Sequence, residues 1–162
     1  MKFKLRGHFT VEHYRKGKLL DKYEMDNGIV TVGFNALLNI MFEAATQIAT
    51  WYVGLIDNSG FTALQSTDTM ASNGVGWTEL TAYSQATRPA YTPVAAANQQ
   101  ITSNAVTQFS INATKSVKGM FLTSSNTKGG TTGTLWCTAL FDSVKPVANG
   151  DTFKVIYTLS VA

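Results

Sequence analysis

The feature that most tightly limits the fold is a period of two that runs through the last third of the chain. Ala105, Thr107, Phe109, Ile111 and Ala113 share one parity, and Val117, Gly119, Phe121 and Thr123 follow. Leu135, Cys137, Ala139 and Phe141 come next, and Phe153, Val155, Tyr157, Leu159 and Val161 close the chain. Successive side chains of a strand point to opposite faces, so this alternation marks strands with one face on a core. Strands at such spacing, with helices rare, predict a mainly β fold: an antiparallel β-sandwich or jelly-roll-like barrel. "KPVANGD" (145–151) supplies Pro and Asn-Gly for the last turn.

The chain starts in the same way. Phe3, Leu5, Phe9 and Val11 alternate with Lys4, Arg6, His8, Thr10 and Glu12, with Gly7 placed as a bulge. "RKGK" (15–18) turns into a second strand over Leu19–Met25, and "DNG" (26–28) ends it. Residues 1–26 are thus expected to form a basic N-terminal β-hairpin, followed by a helix plus β-sandwich over 27–162. Phe34, Leu37, Leu38, Met41, Phe42 and Ala45 fall at helical spacing, which predicts one amphipathic helix over about 32–46. Thr31 is its expected N-cap, and its greasy face is expected to pack on the sheet. "TWYVGLI" (50–56) reads as a strand covered on both faces. Residues 57–76 lack periodicity and read as a long loop of the kind that carries function. Trp77–Tyr83 reads as a strand, whereas "ATRPAYTP" (86–93), with two of the three prolines, reads as edge or loop.

A length of 162 residues suits a single domain with a sizeable core. Charged residues are only 14% of the chain, against about 25% in average proteins, with Thr, Ser, Asn and Ala in their place. Seven of the thirteen Lys/Arg lie in the first 22 residues, against Glu12 and Asp21. The readings for this cluster are a solvated hairpin face or a contact with an acidic surface. No base-stacking motif accompanies it, so no specific nucleic-acid partner is expected. Cys137 is alone, which leaves no intrachain disulfide. The N-terminal alternation predicts no signal peptide, and no apolar run is long enough for a membrane span.

"NTKGGTTGTLWC" (126–137) looks at first like a phosphate-cradling loop. A Walker loop needs its lysine after the last glycine and a helix beyond it. Here Lys128 precedes the glycines and strand alternation follows, so the stretch predicts a hairpin loop over about Ser124–Gly133, with Trp136 and Cys137 on opposite faces of the next strand. His8 and His13 sit five apart on one strand and face opposite ways, so they cannot share a metal, and exposure is expected for both. No Gly-x-Ser-x-Gly elbow is present. Asp57, Asp68 and Glu79 lie near the long loop, where a glycosidase-like pair is conceivable, although turn and cap roles are commoner for aspartates. No catalytic, metal or cofactor-binding residues are assigned, and no cofactor is expected.

In order along the chain, "NGIVTVGFNALLNIMFEAATQIATWYVGLID", "GFTALQSTDTMAS" with "GWTEL", "YSQATRPAYTP" and "KGGTTGTLWCTALFDSVKPVANGDTFKVIYTLSVA" resemble a family of small virion structural proteins of tailed bacteriophages. The resemblance covers about residues 27–162 and includes no catalytic signature. It implies a non-enzymatic head decoration (cement) protein, made in the host cytoplasm and located on the virion's capsid surface. Its partners would be the major capsid protein and copies of itself, as a dimer or trimer. An alternative is a tail- or fibre-associated β-sandwich that binds carbohydrate through exposed coplanar aromatics, or another tail protein. The expected contact residues are Lys2, Lys4 and Arg6 of the hairpin, Asp57, Phe61 and Asp68 of the long loop, and Trp77, Arg88, Tyr91 and Lys128.

Overall fold

The computed structural model describes residues 4–161. The alternation becomes eleven strands, numbered in chain order. β1 (Leu5–Arg15) and β2 (Lys18–Asp26) form the N-terminal hairpin, and β3 (Gly28–Ile29) leads into the helix α1 (Thr31–Phe42). Beyond it run β4 (Trp51–Asp57), β5 (Thr78–Leu80), β6 (Ala90–Pro93), β7 (Gln100–Ala105) and β8 (Thr107–Ser110). β9 (Lys115–Thr123), β10 (Leu135–Val147) and β11 (Thr152–Val161) complete the set. The strands pair antiparallel in the order β2-β1-β11-β7-β6-β4-β9-β10-β3, with β5 added on β4 and β8 on β11. The sheet is a nearly closed barrel. Tyr23 of β2 meets Phe141 of β10 edge-on at 5.3 Å where its two ends approach.

The main core fills the barrel with the predicted inward parities: Phe9 and Val11, Phe109 and Ile111, and Phe153, Val155 and Tyr157. β4 is covered on both faces, as its unbroken apolar run requires. Val53 and Leu55 face the barrel interior, while Ile56 joins a second core with Val30, Met70, Trp77, Phe121 and Leu135. Residues 58–77 cover that second core. This lobe folds on itself: the Thr69 and Ser72 side chains form a capping box around a 3-10 turn, and Thr62 N–H donates to the Gly76 carbonyl at 2.8 Å.

Several local expectations give way to packing. β6 is no edge: it pairs with β4 on one side and β7 on the other, and joins the two halves of the sheet. Gly7 holds no bulge, since β1 stays in register there with β11; the β1–β2 shift falls between His13 and Tyr14. A side chain at Gly7 would collide with Asn27 and the Tyr157 hydroxyl. A register shift between Leu135 and Cys137 places both Trp136 and Cys137 in the main core rather than on opposite faces. His13 is buried, not exposed, although His8 and His13 do lie on opposite faces.

The helix departs furthest from its sequence pattern. Its N-cap is Val30 without a side-chain cap, because Thr31 is occupied: its N–H and hydroxyl both donate to the Ser66 carbonyl. It ends at Phe42, although apolar spacing continues to Ala45. Ala44 takes a left-handed φ of 57° and Ala45 N–H donates to the Asn39 carbonyl, which closes the last turn. Of the expected core stripe, Phe34, Leu38, Met41 and Phe42 face outward and only Leu37 turns in. Gly33, Ala36, Leu37 and Ile40 form the inner stripe instead, because only glycine lets α1 approach the bulged Trp136 backbone. A Cβ at Gly33 would lie 2.5 Å from the Trp136 carbonyl oxygen. Helix propensity alone would have Gly33→Ala stabilise by about 1 kcal/mol. We expect the clash with backbone to reverse that sign and cost about 1–3 kcal/mol in urea unfolding.

Candidate functional site

Most of the residues expected at a contact surface are consumed by the fold. Trp77, Arg88, Tyr91 and Asp68 are buried and cannot be surface anchors. Trp77 packs on Phe121 with ring centroids 5.1 Å apart. Arg88 forms a two-pronged pair with Glu79, with nitrogen–oxygen distances of 3.0 and 2.7 Å. Asp68 accepts the Gln65 N–H at 2.9 Å and closes its own turn. Lys128, at the predicted loop tip, points inward. Its Nζ donates to the Tyr83 and Gln85 carbonyls at 3.0 and 2.7 Å and lies over the Tyr83 ring. Phe61 is half-buried against the second core, and Asp57 accepts the Ser59 N–H. Lys4 and Arg6 are exposed; Lys2 lies outside the described residues.

The three carboxylates weighed for hydrolysis do not converge: Asp57 and Asp68 cap turns, and Glu79 serves Arg88. Among the described residues no group of three His, Cys, Asp or Glu side chains is placed to share a metal ion. Burial pushes the Cys137 thiol up to about 12, so it stays protonated. The hairpin's charge is partly matched, through Arg15 to Asp151 and Lys22 to Glu24. Trp77 and Trp136 are buried, and half-buried Trp51 is tilted 58° from Trp136, so the three tryptophans offer no exposed coplanar pair to a sugar ring.

What the fold leaves unused is the outer face of α1. Phe34, Leu38, Met41 and Phe42 are 41, 53, 65 and 82% exposed. With the inner stripe also apolar, only Thr31, Asn35 and Asn39 interrupt a helix without a single charge. A helix that is apolar all round belongs in a buried setting. At 12 residues it is too short to cross a bilayer, and no described helix is long and apolar enough to do so.

Under α1 the packing is incomplete. A half-open cavity of about 210 Å³ lies between the helix (Ala36, Leu37, Ile40), the segment from Gln47 to Trp51, and the sheet. Leu122, Trp136, Tyr157 and Leu159 are among its sheet-side walls, with Tyr91 and Pro93 of β6. The Tyr91 hydroxyl is buried without a partner among the described residues, and burial pushes its pKa up to about 12. The Tyr157 hydroxyl is held by Trp136 Nε1 at 2.9 Å and Asn27 at 3.1 Å.

The sequence held a signal for this face: Gly33, Ala36 and Ile40 between the larger apolar residues, and no charge to mark a wet side. Neither any protein-family model nor any curated protein matches the chain.

Proposed function

We propose that this chain is a non-enzymatic structural protein that works by assembly, as a decoration protein on the capsid shell of a tailed bacteriophage. The outer face of α1 carries the reading. A β-barrel whose candidate carboxylates cap turns or pair with Arg88, and whose helix α1 turns large apolar side chains to solvent, is suited to docking rather than to chemistry. Exposed apolar patches of this kind mark interaction sites. The low charge favours the same use, because a large contact then desolvates few ions. The capsid assignment adds the sequence resemblance over about residues 27–162. Repeated copies would turn modest contacts into firm occupancy through avidity. Lys4 and Arg6 would lie at the rim of such contacts, where charge steers encounter.

The test is to incubate the purified protein with expanded head shells of the phage that encodes it, after removing the resident copies. Cryo-electron microscopy should then find ordered density of this chain's size at repeated shell positions. Shells that stay bare at saturating protein would refute the capsid reading. No observation favours the carbohydrate alternative.

A further inference from the structure

Resting on the assembly reading, we propose that the outer face of α1 docks on a second copy of this chain, and that the half-open cavity beneath the helix receives Phe42 of that copy. Three observations select this occupant. The first is charge. From residue 27 to 56 only Glu43 belongs to the Asp, Glu, Lys and Arg set, so a charged partner would find almost nothing to pair with, whereas a second copy brings the same nearly uncharged surface. A lipid surface is disfavoured for the same reason, because helices that lie on membranes carry Lys and Arg on their polar face. The second is area. Phe34, Leu38, Met41 and Phe42 together expose on the order of 550 Å², near the upper end for a single patch on a monomer. That approaches the roughly 800 Å² per partner of a standard interface.

The third observation is fit. Phe42 is the most exposed large apolar side chain of α1 and stands two residues beyond Ile40, which walls the cavity. An apolar cavity of about 150 Å³ accommodates benzene, so the cavity of about 210 Å³ takes a phenyl ring. Two helices related by a two-fold axis and crossing near Met41 bring each Phe42 to the mouth of the other copy's cavity. Such reciprocal insertion is self-complementary, as a two-fold interface requires.

Analytical ultracentrifugation at micromolar concentration should give the wild type a mass at least twice 17.5 kDa. Phe42→Asp and Leu38→Asp, both at exposed positions, should sediment as monomers with an unchanged far-ultraviolet circular dichroism spectrum and thermal midpoint. Cys137 is the chain's one cysteine and is fully buried, so Leu38→Cys adds a single accessible thiol. It should form an interchain disulfide on mild oxidation, whereas Val75→Cys, on the lobe, should not. A monomeric wild type, or an oligomer that both aspartate variants leave intact, overturns the inference. If the wild type is monomeric but binds shells through α1, this inference fails and the shell-binding role stands. If the oligomer depends on Phe42 but shells stay bare, the copy–copy interface stands and the capsid reading fails.

Discussion

Replacing Arg88 with alanine is expected to remove about 3–5 kcal/mol of folding stability, the usual cost of breaking one side of a buried ion pair. Both side chains are sealed, with at most 1% exposure for Arg88 and Glu79. The pair also organises backbone. Arg88 donates to the Ser125 and Gly130 carbonyls at 2.9 and 2.8 Å, and Glu79 accepts the Gly129 N–H at 2.7 Å. The glycine-rich loop from residue 124 to 134 is therefore pinned to the 79–88 segment by one guanidinium–carboxylate couple. Removing Arg88 leaves a carboxylate in the core with only the Gly129 N–H and the Tyr83 hydroxyl to stabilise it. Arg88→Lys should rescue little, since one ammonium cannot span both carboxylate oxygens and two carbonyls. The double variant Arg88→Leu/Glu79→Leu should recover part of the loss but not all of it, because the Ser125 carbonyl and the Gly129 N–H lose their partners and the Gly130 carbonyl keeps only Asn73. Urea unfolding reads these differences, and the single variant should lower the melting temperature by on the order of 10 °C. A loss below about 1 kcal/mol would mean that the pair is open to water in solution.

That couple also marks where sequence reading succeeds and where it stops. The strand parities of β1, β8 and β11 are legible because a half-buried strand shows its core in its own period, whereas β9, buried on both faces, sends Phe121 to the second core and Met120 and Leu122 to the first. The loop at 126–133 is legible as a turn because its lysine stands on the wrong side of the glycines and a strand follows. Arg88 and Lys128 are illegible as core groups, because burial of a charge depends on partners 9 and 45 residues away. The inner stripe of α1 fails for a related reason. Helical spacing ranks residues by size, so Phe34, Leu38, Met41 and Phe42 claim the core. The contact that decides the helix's rotation is a close approach of Gly33 to the Trp136 carbonyl, set by a bulge a hundred residues downstream. The apolar residues thus displaced outward are the ones that make α1 a docking face. The long stretch at 57–76, expected as a contact loop, owes its length to covering the second core, into which it sends Met70 beside Trp77. Deleting it would expose that core, so its part in docking is better probed at exposed Val75.

At neutral pH, Asp151→Asn is expected to cost about 2–3 kcal/mol, and the deficit should disappear on acidification. Asp151 follows the tight turn between β10 and β11, and its carboxylate has no exposed surface. Both oxygens accept hydrogen bonds. Arg15 donates to Oδ1 and Oδ2 at 2.7 and 2.8 Å, His13 Nε2 donates to Oδ2 at 2.7 Å, and the Ala148 N–H donates to Oδ2 at 2.9 Å. The side chain thus ties the last hairpin to β1 and closes its own turn. An asparagine keeps one accepting oxygen and turns an N–H₂ toward cationic and N–H donors. The Arg15 guanidinium beside Asp151 holds its carboxyl well below the usual range, with the turn N–H and His13 adding to that effect. A carboxylate whose folded pKa is depressed contributes stability that is complete above its unfolded pKa of about 3.9, and that is lost as the pH falls toward the folded value. The wild type should therefore lose stability below about pH 4, while Asp151→Asn gives a flatter curve there and the two converge. Asp142 provides the control. Its pKa is also lowered, first by the Lys145 hydrogen bond, but its carboxylate is 82% exposed and water can replace that partner. Asp142→Asn should leave the acid limb of the curve in place. If Asp151→Asn instead ran parallel to the wild type down to pH 2, the acid loss would belong to other carboxylates, and the tie between the last hairpin and β1 would not depend on ionisation.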